Sequence, residues 1–555
     1  MNQKPKPIRS IARSLGIRDR ELELNGNHKA KIDLSILERL KPRRARYVLV
    51  SAVTPTPLGE GKTVTTIGLS MALNRLGVKS ACTLRQSSLG PLFGSKGMAT
   101  GGGRSQVIPF DEINLHFTGD MHAVAEANNL LSAFLENSIF HGNPLRIDPD
   151  SILWKRCLDI SDRSLRRIRY TLKMEGASRE MASGFEVTAA SELMSILALS
   201  RDRADLRSRL KEIVVGRDAS GALVRSRDLK ADGMMAAVLT DAIKPNLVQT
   251  CEHTPCLVHA GPFANISIGT SSILADRIAL GLSDYVVTES GFGVDCGGEK
   301  FFDIKCRVAG FQPDACVLVC SLRGLKAQSR KITVTPGERM PQGLFQEDQE
   351  ALEQGIVNLR KHIENVRLFN IPVLVCVNVF PQDTEAELAF VRQKAGDFGA
   401  RDCCLSRMWE EGSAGGLDLA RSLLEITRSR AEGFRYLYED NLSLEKKIEM
   451  IASKIYGAAS VDFSPQSRQM LAFYEEAGFG RLPVCIAKTQ FSLSHDESLK
   501  GAPRGFVFPV KDVRLQAGAG FVLAHASLMQ TMPGLPRHPR GEQVDVSATG
   551  EVTGL

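Results

Sequence analysis

Short, nearly continuous apolar runs alternate along this chain with longer stretches of helical period. The runs Tyr47–Val53, Lys79–Leu84, Cys256–Ala260, Tyr285–Thr288, Ala315–Ser321 and Pro372–Phe380 predict strands. Between them the spacing predicts helices over Lys62–Leu76, which stops at Gly77, and over Ala123–Glu136, Ile273–Leu282 and Glu385–Ala395. Strands without polar alternation are buried on both faces, so the pattern predicts an α/β fold with a mostly parallel sheet covered by helices. Ligands of such sheets collect at the carboxyl ends of the strands. Functional residues are therefore expected just after the apolar runs. The polar stretch Thr335–Asp348, with Pro336 and Pro341, reads as a long loop or a domain border. After Ser464 the character changes, and Pro483–Thr489, Gly505–Val513 and Gly520–Ala526 read as strands with short connections. The expected division is residues 1–345 as a large α/β domain, 346–460 as a second α/β domain and 461–555 as a small C-terminal domain.

Composition narrows the class. A chain of 555 residues with 43% apolar side chains is globular and long enough for about two to four domains. No apolar run is long enough to span a membrane. Lys4, Lys6 and Arg9 are followed by no apolar core, so no secretory signal is expected, and Asp19, Glu21 and Glu23 argue against a transit peptide. The net charge of +7 is small for this length and suits anionic substrates. The densest basic stretch, Arg163–Arg169, is poor in aromatics and reads as a solvated face rather than a nucleic-acid tract. The 12 cysteines include no Cys-x-x-Cys pair, and Cys316, Cys320 and Cys376 lie inside apolar runs, as buried small hydrophobes do. The ten histidines show no metal-binding spacing. A reducing, cytoplasmic setting is the expectation.

The stretch Thr56-Pro57-Leu58-Gly59-Glu60-Gly61-Lys62-Thr63 joins a predicted strand to a predicted helix. A Gly-rich turn in that place forms a phosphate cradle. Backbone N–H groups and the positive helix end face the anion, and Lys62 adds a point charge. Thr63 falls where such a loop places a hydroxyl near Mg²⁺. A Gly-rich loop alone reads also as an ordinary turn, and Thr56 stands where the motif has its first Gly, but Gly-Lys-Thr in this context favours phosphate binding. Arg85 follows the next predicted strand, where a planar guanidinium grips phosphate or carboxylate with two parallel donors. The glycines of Gly94-Ser-Lys-Gly97 and Gly101-Gly-Gly103 allow close backbone approach to a ligand or, equally, a mobile loop. His116, Asp120 and His122 lie close together, with helix capping by Asp120 as the plain alternative. Phe380 and Trp409 each end an apolar run, where two aromatics either sandwich a flat heterocycle or pack in the core.

The chain closely resembles the formate–tetrahydrofolate ligase family over nearly its whole length. The resemblance is carried by Thr54-Pro-Thr-Pro-Leu-Gly-Glu-Gly-Lys-Thr63, Ser88-Leu-Gly-Pro91, Ile113-Asn-Leu-His-Phe-Thr-Gly-Asp120 and Asp241-Ala-Ile-Lys-Pro-Asn-Leu-Val-Gln-Thr250. Gly261-Pro-Phe-Ala-Asn265, Glu299-Lys-Phe-Phe-Asp-Ile-Lys-Cys306, Asp383-Thr-Glu-Ala-Glu387, Ala487-Lys-Thr-Gln490 and Thr531-Met-Pro-Gly-Leu-Pro536 extend it. It implies a P-loop-type sheet and an ATP-dependent ligase that activates formate as formyl phosphate and passes the formyl group to tetrahydrofolate. It further implies that Thr56 to Thr63 bind ATP with Mg²⁺ in the large domain, and that Arg85 contacts formyl phosphate. Phe380 and Trp409, in the second domain, would flank the pterin ring, with Phe292 of Gly291-Phe-Gly293 in the same pocket. A homotetramer and help from a monovalent cation are implied as well. The family pattern is left at Gln86 and Ser87 (usually Glu and Pro), Met98 and Arg104 (Gly and Tyr), Ile268 (His) and Ala414 (Glu). A silent paralogue that binds ATP or folate, or an enzyme for another small carboxylate, are the alternatives that these departures suggest.

Overall fold

The computed structural model describes residues 4–41, 45–57, 59–94, 99–334, 340–429, 433–527 and 529–555. A twelve-stranded sheet organises the chain. Its strands are β1 (Leu22–Asn25), β2 (Lys29–Ile32), β3 (Arg46–Ala52), β4 (Ser80–Leu84), β5 (Gly101–Gly102), β6 (Ser105–Ile108), β7 (Asn246–Thr250), β8 (Pro255–Val258), β9 (Tyr285–Glu289), β10 (Ala315–Cys320), β11 (Val373–Asn378) and β12 (Asp402–Ser406). The order is β1-β2-β7-β8-β4-β9-β3-β10-β11-β12, with β6 also paired to β7 and β5 to β6. The seven strands from β8 to β12 in that order are mutually parallel; the other pairings are antiparallel. Mixed α/β architecture with a mostly parallel central sheet is thus what the apolar runs foretell.

The continuous apolar strands are explained by what covers each face. Leu49, Val286, Leu318 and Val375 point to one side, into a cluster with Ile278 of α3 (Ile273–Leu282) and Leu359 of α4 (Gln349–Arg367). Their neighbours Val48, Val287, Val317 and Leu374 point to the other, against Leu69 and Leu73 of α1 (Lys62–Arg75) and Leu423 of α6 (Leu417–Ile426). Alternate residues meet helices on opposite faces, so both sets are apolar. The helices α2 (Asp120–Phe140) and α5 (Glu385–Asp397) complete the set used below. Side-chain caps fix starts: Ser272 accepts from the Ala275 N–H and Asp348 from the Ala351 N–H at the heads of α3 and α4.

The sheet passes without interruption from β10 to β11, which lie on the two sides of residue 345. In the C-terminal part, Val484–Ala487, Phe521–His525 and Asp512–Gln516 form a three-stranded sheet. The expected strand Gly505–Val513 is two strands. Val507–Val510 pairs with Ser460–Phe463, whereas Asp512–Gln516 turns to Phe521–His525. Asp120 opens α2 but does not cap it. Its buried carboxylate accepts from Lys31 Nζ and Asn246 Nδ2, both at 2.7 Å, and so ties the helix to β2 and β7. Arg163, Arg167 and Arg169 are exposed, as expected of a solvated face, and Arg163 and Arg166 also donate to the carbonyls of Leu535 and Met532 in the C-terminal segment. Among the described residues no helix is long and apolar enough to cross a membrane.

Candidate active site

The loop after β3 is braced from two neighbouring strands. Glu60 is buried, and its carboxylate accepts from Thr56 N (3.1 Å), Thr56 Oγ1 (3.0 Å) and Ser321 Oγ (2.8 Å), the last just past β10. Asn378, the last residue of β11, donates from Nδ2 to the Glu60 carbonyl at 2.6 Å. Gly61 has φ +77°, and a Cβ there would lie 2.4 Å from Asn378 Nδ2, so glycine is required. The backbone then enters α1 at Lys62. Thr56, Pro57, Gly59, Glu60, Gly61, Lys62 and Thr63 therefore lie between the end of a central strand and a helix N-terminus; Leu58 lies outside the described residues.

Two cations and a carboxylate meet beside this loop. Thr63 Oγ1 donates to Glu289 Oε2 at 2.7 Å; Glu289 is the buried last residue of β9, the strand next to β3. Burial lowers the Lys62 ammonium, Glu289 and Glu60 draw it back up, and Arg85 pushes it down again. Burial also lowers Arg85, against the pull of Glu289. Arg85 donates from Nη1 to the Pro262 carbonyl at 3.1 Å, while its buried Nε has no hydrogen-bond partner. A cavity opens next to Arg85, lined by Gln86, Ser88, Leu92 and Phe263. Glu289 escaped the sequence reading. Its signal was an acid one residue beyond the apolar run that ends at Thr288.

The aromatic residues stand on the same edge. Phe380 leaves β11 and Trp409 leaves β12, and the two strands stay paired to their ends through Val379 N to Ser406 O at 3.0 Å. The Phe380 N–H donates to Asp383 Oδ2 at 2.8 Å, and the Arg323 guanidinium lies 3.5 Å from the ring centroid. Trp409 is 57% exposed, and its ring rests on the Gly102–Gly103 backbone, where a Cβ at Gly102 would come within 2.1 Å. Its carbonyl accepts from the Arg104 N–H at 2.8 Å. Phe292 follows β9 with φ +59° and is half-buried. Along the carboxyl edge the order is Arg85, then Glu289 and Phe292, then the loop from Thr54 to Thr63, then Ser321, Phe380 and Trp409. His116 and His122, by contrast, are exposed.

A family model described as formate–tetrahydrofolate ligase matches residues 1–555. The chain belongs to the formate–tetrahydrofolate ligase family. A formate–tetrahydrofolate ligase of Roseiflexus castenholzii is 51% identical over 553 residues, 99% of this chain and 98% of the relative. Proteins of the same name from Chloroflexus aurantiacus and Saccharopolyspora erythraea are each 50% identical over 99% of this chain, covering 98% and 97% of their own lengths. Within this formate–tetrahydrofolate ligase family member the departures from the usual pattern fall in different surroundings. Ile268 is fully buried in an apolar cluster with Ala260, Ile266 and Leu274. Gln86 is buried next to Arg85, and its Oε1 has no hydrogen-bond partner. Arg104 is exposed, Ala414 belongs to the Gly412–Gly416 turn against α1, and Met98 lies outside the described residues.

Proposed function

We propose that this chain ligates formate to tetrahydrofolate with ATP, through formyl phosphate, giving 10-formyltetrahydrofolate, ADP and phosphate. The observation that supports it most is the meeting of Lys62, Thr63, Arg85 and Glu289 beside a braced Gly-rich loop at the head of α1. This is the arrangement expected of a P-loop-type phosphate site. Formate is a poor acyl donor, so its oxygen attacks the γ-phosphorus and ADP departs. The amine of tetrahydrofolate then attacks the formyl carbon, phosphate leaves with the oxygen that joined them, and the amine loses its proton. Neither step needs a nucleophile from the protein. Both need reactants in line and negative charge neutralised.

Lys62 opens α1 where the loop ends and places its ammonium near the β- and γ-phosphates. Arg85, offered from the neighbouring side with a free Nε–H, holds the formyl phosphate. Glu289 keeps both cations charged against the cost of burial. The Thr63 hydroxyl and the Glu289 carboxylate are hard oxygen donors that would hold Mg²⁺ together with phosphate oxygens, and the ion would add positive charge there. Phe380 and Trp409 flank the pterin, and Phe292 closes the same pocket. Homotetrameric assembly, a monovalent cation and a cytoplasmic setting belong to the same proposal and rest on the family resemblance. ADP release by the purified protein tests the reading. Release should require formate, and formyl product should require tetrahydrofolate as well. ADP release indifferent to formate would refute it.

A further inference from the structure

One face of Phe380 is already occupied. The Arg323 guanidinium carbon stands 3.5 Å from the ring centroid, a face-on stack at contact distance. Arg323 comes from the short helix Leu322–Lys326 directly after β10. Its cap is Ser321, the residue whose hydroxyl donates to Glu60 in the phosphate loop. Two residues at the start of this helix, its cap Ser321 and Arg323, thus touch the loop brace and the aromatic. Arg323 Nε is buried and has no hydrogen-bond partner. The ring contact is what fixes its place, with Glu60 and Asp383 as the carboxylates that offset its desolvation.

We propose that Arg323 is a positioning residue of the folate site: it locks the Phe380 ring from behind and reserves the opposite face for the pterin. This rests on the reading of Phe380 given above. The stack acts in two ways. It removes a rotational freedom that the pterin would otherwise have to freeze on binding. It also draws π density toward the cation, which makes the outward face more complementary to an electron-rich reduced pterin.

The test is steady-state kinetics of the full chain with Arg323→Met, Arg323→Lys, Phe380→Leu and the double variant Arg323→Met/Phe380→Leu. Arg323→Met should raise the KM for tetrahydrofolate about three- to tenfold and leave the KM for ATP unchanged. Arg323→Lys keeps the charge but not the plane and should fall between it and the parent. In the Phe380→Leu background the Arg323→Met change should add less than about twofold, because the residue acts through the ring. An equal rise in the ATP KM, the same factor in both backgrounds, or an unchanged folate KM would overturn the proposal. Should Arg323→Met not fold, a folded Arg323→Lys with parental folate KM overturns it equally. If Phe380→Leu leaves the folate KM unchanged, the role given to Phe380 fails and the inference with it. If Phe380→Leu raises that KM and Arg323→Met does not, only the inference fails.

Discussion

Gly61→Ala should damage ATP use far more than Gly59→Ala, although both glycines have left-handed backbones, with φ +77° and +75°. A left-handed L-residue costs roughly 1–2 kcal/mol, and both variants bear that. They differ in what the added methyl meets. At Gly59 nothing lies within 4 Å, whereas at Gly61 the Cβ falls 2.4 Å from Asn378 Nδ2. The Asn378 amide would have to leave its 2.6 Å bond to the Glu60 carbonyl. Leaving such buried groups unpaired costs a further 1–3 kcal/mol or so, about 2–5 kcal/mol in total at Gly61. Each 1.4 kcal/mol or so is tenfold, so kcat/KM for ATP should fall on the order of 10²–10³-fold in Gly61→Ala and about tenfold in Gly59→Ala. ADP release against ATP concentration reads this directly, and urea unfolding shows that the fold persists. In Asn378→Ala the obstruction is gone, so adding Gly61→Ala there should cost only the backbone strain. Equal losses at both glycines, or a full Gly61→Ala penalty in the Asn378→Ala background, would refute the argument.

Three further outcomes follow from the site and the core. Arg85→Lys keeps the charge but loses the planar fork, so kcat should drop by up to about 10² while ATP titration shows near-parental affinity; lost ATP affinity with unchanged chemistry would contradict the role. Trp409→Ala should weaken tetrahydrofolate binding by an aromatic contribution of about 0.5–1.5 kcal/mol beyond lost area, with ATP binding and the melting temperature little changed because the ring is 57% exposed; normal folate binding with easy unfolding would mark it as packing. His259 is buried with Nε2 donating to the Ala242 carbonyl and Nδ1 accepting from Ser272, and burial first of all brings it down to about 4, as it does His362. The folded state keeps both neutral while the unfolded chain takes protons below about pH 6.5. Stability should thus be full above that pH and fall toward pH 4, by about 1.4 kcal/mol per unit for each ring, with a shallower slope in His259→Gln. Equal slopes in urea unfolding between about pH 7.5 and pH 4.5 would contradict this.

Much of this was legible because the parallel strands are buried on both faces and leave an unmistakable apolar trace. The same physics hid β2 and β7. Lys29–Ile32 carries two lysines whose burial is offset because Lys31 pairs with Asp120, and Lys29 pairs with Glu112 and donates to the Phe117 carbonyl. Asn246 and Gln249 make β7 look like a loop until Asp120 and Lys6 are in place as partners. At the site, the loop and Arg85 announce themselves by local pattern. Glu289 and Asn378 do not, because their roles come from strands distant in sequence that the sheet sets beside β3 or, for Asn378, one strand further on. Glu60 reads as part of a binding motif, yet its carboxylate is committed to Thr56 and Ser321, a bond pattern that no spacing rule reveals.

The central claim is that ATP activates formate by phosphorylating one of its carboxylate oxygens, which then departs with the phosphate. Formate carrying ¹⁸O in its carboxylate, supplied with ATP and tetrahydrofolate, decides it. The attacking oxygen bridges carbon and phosphorus in formyl phosphate and leaves with the phosphate. Mass analysis of the released phosphate should therefore show one ¹⁸O for each formyl group transferred, with the other retained in the product. Phosphate without label, beside normal formation of the formyl product, would contradict the account.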